Sequence, residues 1–115
     1  MRRLLCALAV VAIGASAAGA QSITLEADRV LWCGSAFYWL AIDASDAGED
    51  VEADQYGTWS EQLMAKGVAL LRLDQLSDAQ IEHISAAYDK AVLAELGTDK
   101  ARHDVATCPE LVAAD

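Results

Sequence analysis

Residues 30–42 read VLWCGSAFYWLAI, thirteen positions without a charge that hold two of the three tryptophans and the single phenylalanine. A run this apolar must be covered on nearly every side, so the rest of the chain has to wrap around it. Val30, Cys33, Phe37, Leu40 and Ala44 recur at three- to four-residue spacing, and Leu31, Tyr38 and Ile42 fill the neighbouring face, which is a helical pattern. β-Branched residues are sparse in the run, which argues against a strand. It is also well short of the ~20 residues that cross a bilayer. We read it as the buried central helix of a small bundle.

The flanking segments supply the remaining helices. Gly48 marks a turn in DASDAGEDVEAD, residues 43–54, whose later acids suit a helix N-terminus. A second helix is expected from about Val51 to Leu73, with Ala53, Tyr56, Ser60, Leu63, Gly67 and Leu70 facing inward. Gly67 costs helix propensity and so points to close approach of the first helix. Ser77 with Gln80 is a capping box, and Leu76 with Ile81 a hydrophobic staple, at the start of a third helix that Gly97 closes. Thr98 to Ala106 is expected to hold one or two weak helical turns. Thr107 with Glu110 reads as a second capping box, starting a short last helix at Cys108. The fold class is all-α: a small three- to four-helix bundle stapled by one disulfide.

The N-terminus reads as a signal peptide over residues 1–20. Arg2 and Arg3 precede an apolar core from Leu4 to Ile13, and Ala18-Gly19-Ala20 is a cleavage signature. Cleavage after Ala20 leaves residues 21–115 as a single helical domain, periplasmic or secreted, with no membrane attachment. Cys6 leaves with the signal, so Cys33 and Cys108 are expected to pair in an oxidising compartment. Closing so long a loop stabilises a fold by roughly 4 kcal/mol in the chain-entropy account. Loss of the two arginines takes the net charge from −10 to −12. Such a chain repels nucleic acid and anionic membranes and suits a basic protein partner.

Chemistry-bearing patterns are few. The segment from Asp43 to Asp54 has aspartate and glycine at the first and sixth positions of a twelve-residue calcium loop. However, Ala47 and Val51 offer no ligand at the fifth and ninth, and Asp54 is too short for the last. It reads as a solvated turn. His83 and His103 share no ligand spacing and read as ordinary boundary or surface residues. Ser35 lacks the Gly-x-Ser-x-Gly elbow, and Cys33 has no histidine nearby in sequence. The chain is therefore read as a non-enzyme without metal or cofactor. Trp32 and Trp39 lie seven apart on one helix face. With Tyr56 and Trp59 they are the candidate binding surface, although core packing is the commoner use of such a set.

At Trp32-Cys33 and Thr107-Cys108-Pro109 the chain resembles small exported bacterial proteins with one cysteine in the first helix and another near the C-terminus. The resemblance implies a periplasmic, disulfide-stapled helical fold and no particular activity. Acid-stress periplasmic chaperones share the size, helicity and two cysteines. Here the cysteines lie farther apart and the chain is more acidic, so no functional residue is carried across. Two functions are expected from these features: a non-catalytic binding or interaction module, or an acid-stress chaperone-like protein.

Overall fold

The computed structural model describes residues 23–113. The signal peptide expected over residues 1–20 lies outside them. Thr24 opens the first helix, its hydroxyl accepting the Ala27 N–H at 3.1 Å. Helix α1 runs Leu25–Asp46, with Glu26 and Asp28 in its first turn, where the helix dipole favours acids. Gly48, at φ +79°, makes the turn into α2, Asp50–Leu73. Helix α3, Asp78–Glu95, starts at the Ser77–Gln80 capping box, both of whose bonds form. It ends at Glu95, two residues before Gly97, also at φ +79°. A short 3₁₀ turn at Val105–Thr107 leads into α4, Pro109–Ala113. No strand occurs among the described residues.

Helix α1 is the shared wall of the bundle. Every residue from Val30 to Phe37 is buried, and exposure returns only at Tyr38. Helix α2 runs antiparallel along one side at short range. A Cβ on Gly67 would stand 2.6 Å from Leu31 Cδ2, and one on Gly34 2.7 Å from Met64 Sδ. Ser60 Oγ, on α2, donates to the Gly34 carbonyl at 2.8 Å. Helix α3 covers the opposite side, where Ser35 bonds to Asp89 and Trp39 Nε1 donates to the Asp89 carbonyl at 2.9 Å. Helices α2 and α3 scarcely touch each other.

Cys33 and Cys108 form a disulfide, with S–S 2.06 Å and Cα atoms 5.5 Å apart, and both residues are fully buried. The bundle is all-α and stapled as the spacings predict, with three local differences. Residues 97–104 form turns and bends, not helix. The capping box expected at Thr107 does not form. The Thr107 hydroxyl donates instead to the Asp104 carbonyl at 2.8 Å and accepts from Arg29 at 3.2 Å. Asp104, three residues upstream, caps its own short turn by accepting the Ala106 N–H at 3.0 Å. On α2 the buried stripe passes through Ser60, Leu63, Gly67 and Leu71. It reaches Leu71, beyond the expected Leu70, as a 3.6-residue period drifts over several turns.

Candidate functional site

The aromatics divide between two sides of α1. Trp32 is fully buried, and its Nε1 donates to Glu95 Oε1 at 3.0 Å. Trp39 lies on the same face, as the seven-residue spacing requires, and also meets α3. Tyr56 and Trp59 pack from α2 onto Phe37, with ring centroids 5.8 and 5.2 Å away. The four residues therefore line no single groove. Trp32 is core, because α3 and the C-terminal segment cover its face of α1. Trp39, Tyr56 and Trp59 remain half-buried, and Tyr38, 45% exposed, is in edge contact with Trp39.

These half-exposed rings sit toward the α1–α2 turn, where acids gather. From residue 30 to residue 65 the chain carries Asp43, Asp46, Glu49, Asp50, Glu52, Asp54 and Glu61 and no lysine, arginine or histidine. Of the twelve positions compared above with a calcium loop, only Ala47 to Glu49 lie outside a helix. The carboxylates are thus spread over two helix ends. Among the described residues no three His, Cys, Asp or Glu side chains are grouped to hold a metal ion.

A second constellation escaped the sequence reading. Residues 96–107 cross α1 and α3 as a strap, pinned by charged groups. Arg102 NH1 donates to Asp28 Oδ1 at 3.1 Å, and Arg102 NH2 to Glu95 Oε2 at 2.8 Å. The Arg102 backbone N–H also donates to Glu95 Oε1 at 3.0 Å. The guanidinium lies 5.6 Å from the Tyr88 ring centroid, a cation–π arrangement. The Tyr88 hydroxyl donates to Asp28 Oδ1. His103 Nε2 meets Asp28 Oδ2 at 2.8 Å, and its ring stands edge-on to Trp32 at 5.6 Å. His103 is thus a boundary residue that also makes tertiary contacts. His83 is exposed. Residues 96–98 and 101–105 of the strap, with Trp32, line an open cleft of about 410 Å³.

The electrostatics follow from this crowding. Burial opposes ionisation of Asp28. The Tyr88 and His103 hydrogen bonds and the Arg102 charge outweigh it and hold the carboxyl below its ordinary range. Hydrogen bonds from the Arg102 guanidinium are the main cause drawing Glu95 down to about 2. Burial, then the bond to Asp28, push the Tyr88 phenol up. Chemically the cluster holds two carboxylates ionised and clamps one guanidinium.

No protein-family model, curated protein or solved structure matches the chain. Fold and site define a small all-α protein whose C-terminal strap is tied to its central helix by a disulfide and an ion-pair cluster. No helix among the described residues is long and apolar enough to cross a membrane.

Proposed function

We propose that the protein is an exported, non-catalytic binding module that docks a basic partner at the α1–α2 turn. The observation that carries this reading is the pairing of half-exposed aromatics with one-signed charge. The half-exposed rings Tyr38, Trp39, Tyr56 and Trp59 belong to the same stretch, residues 30–65, as seven acids and no cation. Aromatic anchors inside a charged rim suit an amphipathic basic segment, with the rim governing encounter and the rings affinity. The disulfide and the leader-like residues 1–20 support export to the periplasm or beyond. N-terminal sequencing of the exported protein should begin at Gln21. The docking test is titration of the mature protein with a synthetic lysine-rich amphipathic helix. Added salt should weaken binding, and Asp46→Asn with Glu49→Gln and Asp50→Asn should weaken it about tenfold. Equal affinity of the variant and the parent at low salt would overturn the assignment.

A second reading, an acid-stress chaperone-like protein, is favoured by one observation: the strap hangs on two carboxylates that low pH neutralises. Suppression of client aggregation at low pH and not at neutral pH tests it.

A further inference from the structure

We infer that residues 96–107 are an acid-released strap: they lift off Trp32 when Asp28 and Glu95 take up protons, while the α1–α2 pair and the Cys33–Cys108 tether stay closed. The inference deepens the second reading, but its test uses no client protein, so the two can fail separately. It lies roughly 20 Å along α1 from the docking end, measured from Asp28 to Ile42.

The geometry makes the strap separable. At one end it leaves α3 through Leu96 and the left-handed Gly97. At the other it is fixed covalently at Cys108. Between these points its apolar anchorage is slight: Leu96, Ala101 and Val105 are only partly buried against the core. Its polar anchorage is concentrated in Arg102 and His103, and both depend on carboxylates outside the strap. Charged acceptors make the stronger hydrogen bonds, so protonating them removes most of what holds the segment down.

The groups that face the latch set the direction of the response. Helix α1 presents Asp28, with Arg29 beside it reaching Thr107 and, at 4.0 Å, the exposed Glu110. Helix α3 presents Tyr88 and Glu95. The strap presents Arg102, His103 and Asp104. At neutral pH the two inward carboxylates hold the Arg102 guanidinium, and Asp28 also bonds the His103 ring. Once both carboxylates are protonated, the Arg102 guanidinium is left without a counter-charge. Trp32 loses its Glu95 carboxylate acceptor and the His103 ring together. The α1–α2 seam has no such dependence. It is made by Gly34 against Met64, Gly67 against Leu31, the Ser60 bond to a backbone carbonyl, and Phe37 between two rings. Acid therefore opens one flap of the molecule, and the disulfide returns it to the same place when pH rises.

Hydrogen exchange read by mass spectrometry on the oxidised mature protein tests this, with rates corrected for intrinsic pH dependence. Between about pH 7 and pH 2.5, amides of residues 97–107 should lose protection by about ten- to a hundredfold. Amides of residues 30–40 and 60–70 should keep theirs. Glu95→Gln should reproduce the open strap at neutral pH with unchanged helix content. If that variant does not fold, the pH series on the unaltered protein decides alone. Strap protection that persists to pH 2.5, or loss of protection throughout the chain in one step, overturns the inference.

Discussion

Replacing Glu95 by Gln removes a charge and almost no volume, and it strips Arg102 of its closest counter-ion. The variant should be less stable than the parent by about 2 kcal/mol at neutral pH, the usual worth of hydrogen bonds to an ionised group. Chemical denaturation reads the difference. The sign of its pH dependence is fixed. The folded protein holds Glu95 at about 2, below its ordinary 4.5, so its contribution is complete above the ordinary value. It is lost as pH falls toward 2. The gap between parent and variant should therefore shrink over that window, and a gap that widened in acid would contradict the ion pairs described. Asp28 shifts the same way. None of this was legible in the sequence. Arg102 and His103 are separated from Asp28 by 74 and 75 positions. Asp28 also has a sufficient local explanation as a first-turn acid. Only the tertiary crossing of strap and helix makes it a hub.

The helices themselves were far more legible, because their signals are short-range. The Ser77–Gln80 box, the turn at Gly48 and the stop at Gly97 each depend on a few neighbouring residues. Replacing Ser77 by Ala should cost about 1 kcal/mol, the typical value of an N-cap, and lower the thermal midpoint. Thr107 shows the limit of such patterns. It has the right residue three positions before an acid, but its hydroxyl is claimed by Asp104 and Arg29. The glycines of the α1–α2 seam give a sharper test. An alanine ordinarily improves a helix interior by up to ~1 kcal/mol over glycine. At Gly67 the added methyl would press on Leu31, which is fully buried. Overpacking of that kind costs ~1–3 kcal/mol, so Gly67→Ala should melt lower than the parent. Gly34→Ala meets the thioether of Met64 first, a side chain that readily changes rotamer, and should be the milder of the two. The reverse order of melting temperatures would refute this account of the seam.

Across the whole molecule, the arrangement of helices around α1 divides the packing into two nearly separate interfaces. A substitution at the seam with α2, such as Gly67→Ala, and one at the contact with α3, such as Ser35→Ala, should therefore add in their effects within a few tenths of a kcal/mol. The staple joins the two halves of the chain. Replacing Cys33 and Cys108 together by Ala should lower stability by roughly 4 kcal/mol, and an unchanged denaturation midpoint would show that the bond does no structural work. Both sulfur-bearing residues are fully buried, and this sets a clock as well as a strength. Exchange requires a thiolate to reach a sulfur atom directly, and here it must wait for the protein to expose one. At high reductant the rate of cleavage should therefore stop rising with concentration and settle at the rate at which the tail swings clear. Reduction then becomes a stopwatch for a rare motion, and the lifetime of the bond is written in the movements of the protein and not in the chemistry around it.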